Sequence, residues 1–391
     1  MTDSTKPPSS NKGPSTAGST GPAATVLDAT TRLLAPLLNT LDSLQFAGRH
    51  LHPPVLDTLA THLEPLLDPL NQAATEFAAV EWPEHLGEFS ARLSASTASA
   101  CKGLEGFVAA QSAENPVMAA YRSVRHGTAA RSELYPLAQV LPPLSRFFVD
   151  PAARENAAVL ARIESGIDRL TEAGIEDSVD PPVGVMHLQN ERDTRGGCSL
   201  YIPEYYNGEP LPLVVALHGG SGHGADFLWT WLTAARSAGA IVLSPTSTGS
   251  TWSIQEPDVD HAHLTGLVAR VAEQWAVDPG RILLTGMSDG GTFSLLSGLQ
   301  SDSFATHLAP ISGTFHPFLM EVAEPGRIKN LPVYLVHGAL DWMFPVDTAR
   351  LAATTLKNAG VGIRYSEIED LSHTYPIEEN WKILNWLAGD D

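Results

Sequence analysis

From Val26 the apolar residues keep the spacing of a helix face. Leu33, Leu34, Leu37, Leu38, Leu41 and Leu44 recur at three and four, the stripe of a 3.6-residue repeat. The stripe returns through Leu59, Leu63, Leu66, Leu67 and Leu70, with Pro65 and Pro69 set to kink or break it. Further helical stretches are predicted near residues 84–112, 115–135 and 151–173, with the proline-punctuated "YPLAQVLPPLSRFFVDP" as a connector. Together they predict an all-helical N-terminal domain over residues 25–178. Ahead of it, residues 1–24 hold mostly Ser, Thr, Pro, Gly and Lys, with almost nothing to bury, and read as a disordered tail.

The period changes at "DSVDPPVGVMHLQ". Strands are predicted at 184–190, 198–203, 212–218, 240–245, 281–286, 307–312, 332–337 and 362–368. Helices are predicted near 226–237, 260–275, 291–299, 346–359 and 377–388. This alternation implies an α/β domain over residues 179–391, with a mostly parallel sheet covered on both faces. Asn207-Gly208, inside "CSLYIPEYYNGEPLPLVVAL", is a tight-turn signal and predicts an antiparallel hairpin among the early strands.

Composition narrows the partners. The net charge of -20, from 44 acidic and 24 basic residues, repels nucleic acid and anionic lipid headgroups. No stretch approaches the length of apolar sequence that spans a bilayer, and the N-terminus lacks the apolar core of a signal peptide, so the expected location is cytoplasmic. Cys101 and Cys198 fall in different predicted domains and are expected to be free thiols.

The chemistry centres on "LLTGMSDGGTFSLL". Here G-x-S-x-G joins a strand to a helix, which predicts Ser288 on a strained turn with its hydroxyl at the C-terminal edge of the sheet. A serine nucleophile needs a base, and the base needs an orienting carboxylate, following in the order acid then histidine. Asp341, after the strand in "VYLVHGALDWMFP", and His373, in "IEDLSHTYP", fill those places. Asp347 reads as a helix cap, Asp370 lies too close to His373 in sequence, and His337 reads as support for the Asp341 loop. His307 and His316 read as structural or pocket residues. The oxyanion is expected to meet the backbone amide of Asp289 and that of Gly220, with Ser221 as the alternative, in the glycine-dense "VVALHGGSGHGADF".

Four motifs in order carry a resemblance: H-G-G at 218–220, the elbow at 286–290, "HGALDWMFP" at 337–345 and "SHTYP" at 372–376. Residues 180–390 resemble an α/β-hydrolase of the phospholipase/carboxylesterase or polyhydroxybutyrate-depolymerase-like group of esterases. The resemblance implies an eight-stranded, mostly parallel α/β-hydrolase sheet, and nucleophile, acid and base at Ser288, Asp341 and His373. Phe344 stands where that family's block usually has valine, and a serine replaces the more common glycine before His373. The helical domain lies outside the resemblance. Packing is the plain reading of its role, with a wall over an active site or homo-oligomerisation as alternatives.

The expected reaction is hydrolysis of a small-molecule ester through an acyl-enzyme, with no cofactor and no metal. "DVDHAHLTG" places Asp258, Asp260, His261 and His263 together but lacks a fixed metal-ligand spacing such as H-E-x-x-H. An apolar acyl or aryl pocket is expected around Trp252, Trp342, Tyr375 and Ser221, with Trp229 and Trp231 as further candidates. Two rivals stand beside this reading: an amidase or peptidase with the same triad, and a binding or scaffold protein that uses the helical domain.

Overall fold

The computed structural model describes residues 22–173, 181–315 and 319–390. The expected tail lies outside them, apart from Pro22 to Ala24, which open the first helix. The expected domain boundary at 178/179 and His316 also lie outside.

The Leu-rich stripe forms α1 (Pro22–Arg49), with Leu33, Leu37 and Leu41 fully buried. The second stripe is broken where its prolines predict. α2 (Leu56–Leu63) gives way to a 3-10 turn containing Pro65, and α3 (Leu67–Ala78) carries Pro69 in its first turn, where a missing N–H leaves no bond unmade. α4 (Gly87–Ala109) packs along α5 (Pro116–Leu134), and the Asn115 side chain caps α5 by accepting from the Met118 amide at 3.1 Å. α6 (Pro142–Phe147) and α7 (Ala157–Ala173) complete the helical region.

The sheet is built from β1 (Gly184–Leu188), β2 (Cys198–Ile202), β3 (Leu211–Leu217), β4 (Ile241–Pro245), β5 (Val277–Met287), β6 (His307–Ile311), β7 (Pro332–Gly338) and β8 (Gly362–Ile368). Their order is β1-β2-β4-β3-β5-β6-β7-β8, antiparallel at β1/β2 and β2/β4 and parallel from there on. The interleaved helices are α8 (Gly224–Ala238), α9 (Pro257–Gln274), α10 (Asp289–Gly298), α11 (Leu319–Val322), α12 (Pro325–Ile328), α13 (Val346–Asn358) and α14 (Glu379–Ala388). Of these, α11 and α12 are single turns, too short to show a period in sequence.

One expectation is corrected. The turn at Asn207-Gly208 forms, with Gly208 at φ 93° and the Asn207 side chain accepting from the Glu209 amide, but β2 and β3 are not paired. β4 lies between them, antiparallel to β2 and parallel to β3. A turn signal sets where the chain reverses, whereas the pairing partner follows from which strand fills the slot between.

Strand residues alternate between two layers. Val214, Ala216, Val242, Leu283 and Val336 face α8, α14 and the N-terminal helices. Leu213, Val215, Leu217, Leu284 and Leu335 face α9, α10 and α13. The first layer is one continuous apolar core running from Leu33 in α1 to Leu387 in α14. A buried polar knot joins the same two regions. Arg236 pairs with Glu204 at 3.1 Å, Tyr135 donates to Glu204, and Arg236 also donates to the Ser145 carbonyl at 2.8 Å.

Candidate active site

Ser288 sits between β5 and α10 at φ 57° and ψ -120°, a conformation that side chains other than glycine rarely adopt. The flanking glycines are required by contact. A Cβ on Gly286 would lie 2.6 Å from the Gly290 backbone, and one on Gly290 would lie 2.4 Å from the Leu217 carbonyl oxygen. The turn is pinned by the Ser288 amide, which donates to the Ile311 carbonyl at 3.0 Å.

His373, on the loop after β8, brings Nε2 to 3.0 Å from Ser288 Oγ and Nδ1 to 2.8 Å from Asp341 Oδ2. Asp341, after β7, uses its other oxygen to accept from the amides of Met343 and Phe344, at 3.0 and 2.8 Å. All three side chains are at least nine-tenths buried, and each leaves the C-terminal end of a parallel strand. His337 bonds the Phe344 carbonyl at 2.8 Å and so braces the Asp341 loop.

The loop after β3 faces Ser288 across the site. Gly220 is next to Asp289, since a Cβ on Gly220 would come 2.8 Å from Asp289 Oδ2, and that carboxylate accepts from Thr251 Oγ1 at 2.6 Å. Ser221 adopts φ 55°. His218 anchors the loop from below: Nδ1 bonds the Gly219 carbonyl at 2.7 Å, and Nε2 accepts from the Ser247 amide at 3.1 Å. Burial drives its pKa down to about 4, so the ring is neutral and able to accept. Arg195 ties the far side by donating to the carbonyls of Gly222 and Gly249, both at 2.8 Å.

The serine opens into a cavity of about 590 Å³, and much of its wall comes from α1 and α5. Leu44 and Arg49 contribute from α1, and Met118, Tyr121, Val124 and Arg131 from α5. The same helices grip the His373 loop. Tyr121 donates its hydroxyl hydrogen to the His373 carbonyl, and Thr374 Oγ1 donates to the Arg49 carbonyl at 2.7 Å. His52 Nδ1 lies 3.1 Å from Ser372 Oγ, while Arg49 pairs with Glu378 at 2.6 Å and Asp370 at 3.0 Å.

Among the expected pocket residues, Ser221, Tyr375 and Trp229 line this cavity, with Gly220 and Asp289. Trp252, Trp342 and Trp231 are not among its lining residues, which corrects the tryptophan reading. Trp252 is buried beneath the loop, donating to the His218 carbonyl at 2.7 Å and stacking on Phe293. Trp342 points outward at 46% exposure, because the turn held by Asp341 presents Met343 and Phe344 to the cavity instead. Trp231 is a fully buried core residue.

Within "DVDHAHLTG", Asp260 organises a loop by accepting from the amides of Thr248 and Ser253 at 3.1 and 2.7 Å, and His261 Nδ1 lies 2.8 Å from Ser297 Oγ. No group of three or more metal-ligating side chains occurs among the described residues.

The alternative role of the helical domain, a wall over the site, is what α1 and α5 form, but which helices and which residues build it is not legible in the sequence. Tyr121, Arg125, Thr128 and Arg131 do stand at helical spacing, a polar stripe on a helix whose apolar residues pack elsewhere, but only the packing shows that the stripe faces a cavity.

An eight-stranded sheet in this order, with Ser288 on the turn after β5 and Asp341 and His373 after β7 and β8, has the architecture of the α/β-hydrolase class, and the elements from β1 to α14 build that core. Within it, residues 259–388 match the Phospholipase/Carboxylesterase family. The chain is 30% identical over 104 residues to acyl-protein thioesterase 1 of Gibberella zeae, a match covering 26% of this chain and 44% of that protein's length. Similar solved structures include a thermostable esterase, at 22% identity and a TM-score of 0.43 over 52% of this chain and 62% of that one. Another is esterase PE8, at 20% identity and a TM-score of 0.41 over 52% of this chain and 99% of that one. No helix among the described residues is long and apolar enough to cross a membrane.

Proposed function

We propose that the protein is a serine carboxylic-ester hydrolase acting on esters with a hydrophobic acyl or aryl part. The observation that carries this is the bonded chain Asp341–His373–Ser288, ending at a serine that opens into a largely apolar cavity. Ser288 attacks the ester carbonyl carbon as His373 Nε2 takes its proton. Asp341 keeps the proton on Nδ1 and stabilises the imidazolium. Charge on the carbonyl oxygen is received by the amides of Asp289 and Gly220, and the nearness of the Asp289 side chain to the Gly220 backbone, which puts the two residues side by side, supports that pairing. The alcohol leaves with the proton from His373, and a water activated by the same ring releases the acid. Residues 25–178 act as one domain that supplies the α1 and α5 wall and holds the His373 loop. We place the activity in the cytoplasm, where two free thiols, Cys101 and Cys198, keep their reduced form.

Nitrophenyl esters from two to sixteen carbons, assayed beside Ser288→Ala, test the reading. A rate that peaks at a definite chain length and falls by about 10⁴-fold or more in the variant is expected. Equal activity in both proteins would refute it. Because the matched Gibberella zeae protein is named a thioesterase, an acyl thioester belongs in the series.

A further inference from the structure

We propose that the cavity takes an ester that ends, away from the scissile bond, in an anionic group, a carboxylate above all, seated by Arg125 and Arg131 of α5. This rests on the esterase reading and adds a substrate class to it.

The argument begins with the direction of α5. Tyr121, Arg125, Thr128 and Arg131 follow one another at four, three and three residues, so one helix face borders the cavity along its length. Tyr121 marks the catalytic end, since it holds the His373 carbonyl. Arg131 lies ten residues further on, roughly 15 Å along the axis at a rise of about 1.5 Å per residue. The cavity therefore runs from the reacting serine toward the arginines, past Val124, Phe227 and Trp229.

Next comes the state of the charges. Arg49, in the same wall, is paired with Glu378 and Asp370, and Asp226 is paired with Arg192. Arg125 is exposed, with no hydrogen bond or ion pair among the described residues. Arg131 spends Nη2 on two neutral acceptors, the Leu41 carbonyl at 3.1 Å and Gln45 Oε1 at 2.5 Å, and has no carboxylate within ion-pair distance among the described residues. Asp42 acts on it only at longer range, and burial lowers its pKa to about 10. In a chain of net charge -20, two cations without a direct anionic partner thus border one cavity. A carboxylate would supply that partner, with the apolar stretch before it taking the chain that links it to the ester.

The test pairs 4-nitrophenyl hemi-esters of linear dicarboxylic acids with 4-nitrophenyl esters of monoacids of equal length. The readout is the ratio of kcat/KM, anionic over neutral, in each protein. The wild type is expected to favour the anionic partner by about tenfold or more at a definite length, with the preference shrinking as salt is raised. Arg125→Gln and Arg131→Gln are each expected to bring the ratio toward one. Arg131→Gln also cuts a link to α1 and is exposed to misfolding, so the exposed Arg125 gives the independent variant. A wild type that disfavours the anionic ester at every length, or variants that leave the ratio unchanged, would overturn the proposal while the esterase reading stands. If the wild type cleaves neither ester, the esterase reading fails, and binding of the same pairs to Ser288→Ala decides the subsite. Tighter binding of the hemi-ester, lost in Ser288→Ala/Arg125→Gln, supports it; equal affinities overturn it.

Discussion

A single buried imidazole, His218, decides whether the loop facing Ser288 keeps its shape. Only a neutral ring can accept the Ser247 amide at Nε2 while bonding the Gly219 carbonyl through Nδ1. Burial holds its folded pKa at about 4 against an ordinary 6.5; Arg195 and His223 reinforce this, while the Gly219 carbonyl and Asp260 oppose it. The unfolded chain therefore binds a proton between pH 6.5 and 4 that the folded chain refuses. Stability from this group is complete above pH 6.5 and is lost as pH falls toward 4, by about 3 kcal/mol in all. Urea unfolding from pH 7 to pH 4 checks the sign and size. The wild type should lose about that much more stability than His218→Gln across the window, and parallel curves would dismiss the role.

At the scale of elements, α5 matters through the loop it holds. The phenol of Tyr121 satisfies the backbone carbonyl of His373, the residue whose ring must meet both Ser288 and Asp341. Tyr121→Phe leaves that carbonyl without its donor, a loss of about 1–3 kcal/mol that falls on the position of the ring. The expected result is a kcat lower by about tenfold with KM little changed, and a displaced acid limb in the pH profile of kcat. A lowered melting temperature with kcat and pH profile intact would reduce Tyr121 to a packing residue. The elbow differs in how it is read from the sequence. Its signal is local, because G-x-S-x-G between an apolar run and a helix marks the turn by itself, while β3 and β6 hold that turn in place: Gly290 has room only for a hydrogen against the Leu217 carbonyl, and the Ser288 amide donates to the Ile311 carbonyl.

In the molecule as a whole, the helical region and the α/β domain share one apolar core, and the Arg236–Glu204 pair lies buried in the same junction beside Tyr135 and the Ser145 carbonyl. The two regions should unfold together. Far-UV circular dichroism, dominated by helices, and tryptophan fluorescence, which includes Trp252 of the α/β domain, are expected to give coincident denaturation curves. Glu204→Gln should keep the single transition and lower its free energy by about 3–5 kcal/mol, because a buried guanidinium loses its counter-charge. Two separated transitions would show that the helical region folds on its own.

The sequence by itself determined what depends on near neighbours. The alternation of short apolar runs with amphipathic ones marked all eight strands to within a few residues. The glycines of the elbow marked Ser288, and the strand ends marked Asp341 and His373, three side chains that follow one another at hydrogen-bond distance along the chain Asp341–His373–Ser288. The tertiary structure alone decided which strand fills the slot between β2 and β3, since a turn signal carries no information about a third strand. It also decided that Trp252 props a loop while Met343 and Phe344 face the cavity, because local turns aim those side chains. Above all, it decided that α1 and α5 wall the cavity and grip the His373 loop. Those contacts join residues more than 250 positions apart, as with Tyr121 and His373, and the helical stripes that make them look in sequence like any other packed face. A periodic pattern states that a face is buried; what it is buried against is settled only when the chain closes on itself.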